Sequence, residues 1–136
     1  MIRLLVADDH AAMRATVVGT LEAEYQVVGA VGDGQEMLDA EAEHTPDVIV
    51  LDISMPTLNG IEAAHRLKKR GSKARIIFLT VHDEPEFLQV ALNTGADGYV
   101  IKSRMASDLR PAVREAMSGR RFISPSLTKL PSESSR

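Results

Sequence analysis

Five polar residues stand at the ends of four of the apolar runs in this chain: Asp8, Asp9, Asp52, Thr80 and Lys102. In an open α/β sheet, ligands bind at the carboxyl edge of the strands, so this is the position from which a side chain can do chemistry. Three carboxylates at one edge repel each other unless a cation lies among them. Because the chain has no cysteine, oxygen ligands of this kind suit Mg²⁺ or Mn²⁺ rather than zinc.

The same residues are suited to a phosphoryl group. A metal would neutralise the carboxylates and one face of the group, while Lys102 and the Thr80 hydroxyl would each hold a further phosphoryl oxygen. A carboxylate in this place can act as a nucleophile and form an aspartyl phosphate. Asp52 is the best candidate because it stands alone at the end of a central run, whereas Asp8 and Asp9 are better metal ligands.

Short β-branched runs alternate along the chain with segments of helical spacing. The predicted strands are Ile2–Ala7, Gln26–Val31, Asp47–Leu51, Ala74–Thr80 and Gly98–Ile101. Five βα units in succession predict a parallel five-stranded sheet with helices on both faces. Asn59 is expected to cap the third helix and Ser107 the last, with Pro111 near the first turn of that last helix.

The composition is that of one globular domain: 136 residues, 44% hydrophobic and 26% charged. A net charge of −3 makes the domain a poor nucleic-acid binder by itself. No apolar stretch is long enough for a membrane helix and the start is no signal peptide, so we expect a cytoplasmic protein without membrane contact. Residues 1–119 are predicted as the domain, and the polar, Ser- and Pro-rich residues 120–136 as a linker or C-terminal tail.

A set of residues specific to one family carries a closer resemblance. It comprises Asp8, Asp9, Asp52, Met55, Pro56, Gly60, Thr80, Gly98, Tyr99 and Lys102. In this set, and over about residues 2–119, the chain resembles the receiver domain of two-component response regulators. His10 with Arg14, and the Gly-Arg-Arg-Phe-Ile-Ser-Pro segment from Gly119, look like the NarL/FixJ-type subfamily. The resemblance implies an α/β, flavodoxin-like, doubly wound (βα)5 fold with strand order 2-1-3-4-5.

The resemblance also implies a phosphoacceptor and its metal site. Asp52 would accept a phosphoryl group from a sensor histidine kinase in a Mg²⁺-dependent reaction, assisted by Thr80 and Lys102. Asp9, Asp52 and the Ser54 backbone carbonyl would bind the metal directly, and Asp8 through water.

A switch between two states is a further implication of the resemblance. Thr80 would move toward the phosphoryl group, Tyr99 would turn from solvent into the vacated space, and the surface of the fourth helix, fifth strand and fifth helix would change. The subfamily usually carries a helix-turn-helix DNA-binding domain after such a linker. We therefore expect either a receiver that lacks its output domain or a stand-alone receiver that acts through protein contacts, with phosphorylation-linked homodimers possible in both cases.

Two other function classes use an aspartate or a similar sheet, and both differ from this chain at one position. A phosphatase or phosphotransferase with an aspartate nucleophile usually needs a second aspartate two residues further on, and here that position is Ser54. A flavodoxin-like cofactor binder needs a phosphate-binding loop after the first strand, where Asp8 and Asp9 would repel phosphate. We expect self-catalysed phosphoryl transfer and autodephosphorylation only, not an enzyme with its own substrate.

Overall fold

The computed structural model describes residues 1–128, which form one parallel sheet flanked by helices. In chain order the elements are β1 (Arg3–Ala7), α1 (Ala11–Leu21), β2 (Gln26–Val31), α2 (Gly34–His44), β3 (Val48–Leu51), α3 (Gly60–Lys69), β4 (Arg75–Thr80), α4 (Pro85–Asn93), β5 (Gly98–Ile101), a 3-10 turn (Lys102–Arg104), α5 (Met105–Met117), β6 (Phe122–Ile123) and α6 (Pro125–Thr128). The strand order is β2-β1-β3-β4-β5-β6 and all pairs are parallel. The predicted fold class and the order of the first five strands are confirmed.

The sixth strand corrects the expected count of five. β6 pairs with β5 through Gly98 with Phe122 and Tyr99 with Ile123. A strand of two residues is too short to show an alternating pattern or an apolar run in the sequence. Part of the segment predicted as a linker or tail therefore belongs to the sheet, while residues 129–136 lie outside the described part of the chain.

Alternation along the strands divides the core into two layers. One face of the sheet packs against α1 and α5, and the other packs against α2, α3 and α4. β3 and the apolar positions of β4 are buried on both faces, which is why they read as continuous apolar runs in the sequence. None of the helices in residues 1–128 combines the length and the apolar character that a membrane crossing requires.

Helix boundaries follow local chemistry, with one correction. Asn59 caps α3 as predicted, because its side chain accepts a backbone N–H from the first turn at 2.9 Å. Ser107 does not cap α5, which begins at Met105 because the preceding 3-10 turn already sets a helical backbone. Pro111 consequently lies inside α5 rather than near its first turn.

Candidate functional site

The carboxyl ends of four adjacent strands bring the candidate side chains to one edge of the sheet. Asp8 follows β1, Asp52 follows β3, Thr80 ends β4 and Lys102 follows β5, and the parallel register aligns these ends. Asp8, Asp52 and Thr80 are only 2%, 4% and 0% exposed. Buried polar side chains need partners, so their contacts reveal what the site can do.

Lys102 joins the two buried carboxylates. Its Nζ donates a hydrogen bond to Asp52 Oδ2 at 3.0 Å and lies 2.9 Å from Asp8 Oδ2. Within residues 1–128, Asp8 Oδ2 has no hydrogen-bond partner, so its contact with the ammonium is an ion pair without hydrogen-bond alignment. The chain therefore supplies part of the cationic charge that the carboxylates require, a pairing not foreseen from the sequence.

Burial and ion pairing shift the pKa values of Asp52 and Lys102 in opposite directions. Burial raises the pKa of Asp52, and the hydrogen bond and charge of Lys102 reduce that rise without cancelling it. Burial lowers the pKa of Lys102, but the close contacts with Asp8 and Asp52 and the charges of the two carboxylates together outweigh it, and the net direction of the pKa is upward. The ammonium is charged at neutral pH, and Asp52 is a more basic carboxylate than one in water.

Donor atoms for a divalent cation converge beside Asp52. Asp8, Asp9, His10 and Asp52 each offer one donor atom, and these four atoms lie within 4.8 Å of one another. His10 is largely exposed and its Nδ1 lies 3.1 Å from Asp9 Oδ1. The cluster of carboxylate oxygens, with the buried Asp8 Oδ2 lacking a hydrogen bond, fits a hard cation such as Mg²⁺. His10 adds a nitrogen donor at the exposed rim.

His82 connects three residues that the sequence singles out separately. Its backbone N–H donates to Thr80 Oγ1 at 3.2 Å, and its carbonyl oxygen accepts the Tyr99 hydroxyl at 2.9 Å. Its Nε2 lies 2.9 Å from Ser54 Oγ, and its ring stacks on Phe87 with centroids 3.9 Å apart. The loop between β4 and α4 is therefore bound both to the loop after β3 and to β5.

Tyr99 already lies inside the protein, contrary to the expected solvent-facing start of the switch. Its side chain is fully buried and its ring lies 6.5 Å from that of Phe78. The ring gains from burial while the hydroxyl keeps a hydrogen bond to the loop carbonyl, which explains the inward position. Burial, followed by the charges of Glu84 and Asp83, raises the pKa of Tyr99.

Two glycines let the loop after β3 fold closely beside Asp52. A Cβ on Gly60 would lie 2.0 Å from the Asp52 carbonyl oxygen, and one on Gly34 would lie 2.1 Å from the Leu58 carbonyl oxygen. The Gly60 N–H donates to the Ile53 carbonyl at 2.7 Å. The first turn of α3 therefore packs on the backbone that carries Asp52, and Gly60 is required for this close approach.

A family model described as "Response regulator receiver domain" matches residues 4–114. This chain belongs to that family. The matched range contains Asp8, Asp52, Thr80 and Lys102, so the receiver resemblance seen in the sequence is confirmed for the family and the fold.

Relatives of this receiver extend the match over nearly its whole length. It is 34% identical over 129 residues to "Transcriptional regulatory protein DegU" of Brevibacillus brevis, covering 93% of this chain and 55% of that protein. It is 36% identical over 129 residues to "Transcriptional regulatory protein DesR" of Bacillus subtilis, covering 93% of this chain and 64% of that protein. The receiver therefore spans less than two thirds of the length of these relatives.

Solved structures agree with the subfamily assignment. A two-component response regulator of the LuxR family from Aurantimonas superposes with a TM-score of 0.92 at 32% identity, covering 98% of this chain and 96% of that one. The signal receiver domain of the putative regulator NarL from Mycobacterium tuberculosis superposes with a TM-score of 0.83 at 33% identity, covering 88% and 98%. The receiver is thus of the LuxR-family type, as the NarL/FixJ-like residues predict.

Proposed function

We propose that this receiver domain is phosphorylated on Asp52 by a sensor histidine kinase. The observation that carries the proposal is a buried carboxylate at the end of central β3 with the Lys102 ammonium 3.0 Å away. An Asp52 oxygen attacks the phosphorus of a phosphohistidine that is protonated on its second ring nitrogen, the phosphorus–nitrogen bond breaks, and the electron pair of that bond leaves with the ring as neutral imidazole. Lys102 and the Thr80 hydroxyl then hold phosphoryl oxygens at the same edge of the sheet.

Mg²⁺ or Mn²⁺ is the proposed cofactor. Asp9, Asp52 and the Ser54 backbone carbonyl would hold it directly, and Asp8 through water; the donor cluster supports this assignment. When bound, the metal supplies positive charge that neutralises phosphoryl oxygens. Because Lys102 pairs with both Asp8 and Asp52, the lysine competes with any cation for these two carboxylates.

The proposed switch begins at Thr80. Its Oγ1 accepts the His82 N–H, so a Thr80 drawn toward a phosphoryl group on Asp52 weakens that bond and frees the loop. The loop carbonyl also holds the Tyr99 hydroxyl, so the change reaches the surface formed by α4, β5 and α5. The phosphoryl group shifts an existing equilibrium by no more than its differential interaction with the two states.

The proposed output is transcriptional control. Two relatives are called transcriptional regulatory proteins and are longer than this chain. DNA contact would come from a DNA-binding domain other than the receiver, because residues 1–136 carry a net charge of −3. A stand-alone receiver acting by protein contact is the alternative. Phosphorylation-dependent homodimers and a cytoplasmic location belong to the same proposal.

The chemistry is proposed to be limited to phosphoryl transfer and autodephosphorylation on Asp52. In an aspartate-nucleophile phosphatase the residue two positions on acts as a general acid. Here that residue is Ser54, whose hydroxyl is hydrogen bonded to His82 and is too weak an acid for the task. Steady-state turnover of phosphate esters by the purified receiver would contradict this part of the proposal.

Incubation with acetyl phosphate and Mg²⁺, followed by intact-protein mass measurement, tests the acceptor. The wild type should gain one phosphoryl group that hydroxylamine removes, and Asp52→Asn should gain none. Asp39→Asn is the matched control, because Asp39 is an exposed aspartate on α2 outside the cluster of carboxylates at the site, and it should react like the wild type. Phosphorylation of the Asp52→Asn protein would contradict the assignment of Asp52 as the acceptor.

A further inference from the structure

Ser124 ties the segment after α5 to β5. The Ser124 N–H donates to the Tyr99 carbonyl at 2.9 Å, and its Oγ accepts the Ile101 N–H at 3.1 Å. The same Oγ donates to Asp108 Oδ2 at 2.8 Å. The serine is 0% exposed, so its hydroxyl donates one hydrogen bond and accepts another while shielded from solvent.

Asp108 anchors this serine to α5. It is 5% exposed, and its second oxygen accepts the Ser107 hydroxyl at 2.9 Å. Arg104 contributes a distant ion pair, with its Nε 3.9 Å from Oδ2. Removing one of the hydroxyl groups that hold a buried carboxylate lowers the stability of the folded protein strongly, because the carboxylate oxygen is left without a partner. The contacts of Ser124 are therefore strong enough to carry a change from β5 to the segment that follows α5.

The contacts of Ser124 lie at the end of β5 that leads to Lys102. Ser124 bonds to the strand at Tyr99 and at Ile101, and Lys102 comes next. The residue pairs of β5 and β6 end at Ile123. The Ser124 N–H adds a backbone bond to Tyr99, and the serine hydroxyl extends the hydrogen bonding to Ile101, the residue before Lys102. The backbone next to the candidate phosphorylation site is thus held from one side by a side chain of the C-terminal segment.

We propose that Ser124 and Asp108 form a latch that reports the state of the phosphorylation site to residues 122–127. The proposal rests on the function proposed above. In the present structure Lys102 is shared by two carboxylates. A phosphoryl group on Asp52 adds negative charge, holds the ammonium more firmly and restrains the Ile101 backbone that Ser124 binds. The C-terminal segment is therefore stabilised when the site is occupied, giving a route from the site that does not pass through α4.

Hydrogen exchange with and without beryllofluoride and Mg²⁺ tests the latch. In the wild type, beryllofluoride should slow exchange at residues 122–127 by about fivefold, the low end of measured couplings between sites. Ser124→Ala should lose this slowing while still binding beryllofluoride, as seen by fluorine NMR. Ser126→Ala, which alters an exposed serine on α6, is the matched control and should keep it. Asp108→Asn should also keep it, because the amide oxygen still accepts the serine hydroxyl.

The outcomes separate the latch from the proposed function. A wild type that binds beryllofluoride without slowing at 122–127, or a Ser124→Ala protein that slows normally, overturns the latch. A wild type that does not bind beryllofluoride overturns the proposed function instead. In that case Lys102→Met tests the latch without a phosphoryl mimic. The substitution should speed hydrogen exchange at residues 122–127 when Ser124 is present and should not change it in the Ser124→Ala protein. Equal effects in the two proteins would refute the coupling.

Discussion

Replacing Gly60 by alanine tests how tightly α3 holds the backbone of Asp52, the proposed phosphoacceptor. The new Cβ would lie 2.0 Å from the Asp52 carbonyl oxygen, and real Cβ atoms essentially never come within 3.0 Å of a neighbour. The end of β3 and the first turn of α3 must therefore separate by about 1 Å, a strain of about 1–3 kcal/mol. The hydrogen bond from the Gly60 N–H to the Ile53 carbonyl lies at the same point and adds about 1 kcal/mol.

We expect Gly60→Ala to lower the free energy of unfolding by about 2–4 kcal/mol in urea denaturation followed by circular dichroism. Gly19→Ala is the matched control, because Gly19 lies in α1 with nothing within 4 Å of its Cβ position. That variant should gain about 0.5–1 kcal/mol from reduced backbone entropy. A Gly60→Ala protein within about 0.5 kcal/mol of the wild type would refute the close approach.

The folded Gly60→Ala protein should also be phosphorylated more slowly than the wild type. A displacement of about 1 Å in a reacting group can reduce a rate by as much as about 10²-fold. The initial rate of acyl-phosphate formation from acetyl phosphate measures this loss, with Gly19→Ala as the control expected to match the wild type. A folded Gly60→Ala protein with the wild-type rate would show that the position of Asp52 does not depend on α3.

The structure predicts the direction of the effect for three further substitutions. Lys102→Met frees Asp8 and Asp52 from the ammonium and should raise Mg²⁺ affinity by about tenfold, equal to about 1.4 kcal/mol, in titration calorimetry; weaker binding would contradict the competition. Asn59→Ala removes the cap of α3 and should lower the unfolding free energy by about 1 kcal/mol, whereas an unchanged urea midpoint would argue against the cap. Folding raises the pKa of Asp52 from 3.8, so the folded state binds this proton more tightly and loses stability as the pH rises above that value. Asp52→Asn should therefore gain stability relative to the wild type between pH 4 and pH 7, measured in urea; a relative loss would contradict the direction of the shift.

The positions of the site residues are predictable because of how parallel strands are buried. A central strand covered on both faces must be apolar throughout, so the first polar residue after it marks its end. Asp8, Asp52, Thr80 and Lys102 are visible in the sequence for this reason. The pairing of Lys102 with both carboxylates is not visible, because it depends on side-chain geometry across three strands that are far apart in the sequence.

The contacts of single loop residues escape sequence reasoning for a different reason. His82 binds Ser54, Thr80 and Tyr99 from a loop, and neither its type nor its spacing distinguishes it from a surface histidine. Ser107 has the residue type of a cap, yet the 3-10 turn before α5 decides where that helix begins. Local preference is overridden in both cases by a neighbouring element.

The sixth strand determines where this receiver can be joined to other proteins. The family match ends at residue 114, but pairing with β5 continues to Ile123 and the buried Leu127 packs on the core. A fusion joined at residue 119 would leave the outer edge of β5 without its partner strand and Asp108 without its serine. Unpaired edges are templates for association with other chains. Chimaeras that exchange output domains should therefore keep residues 120–128 with the receiver, and those that discard them are expected to aggregate.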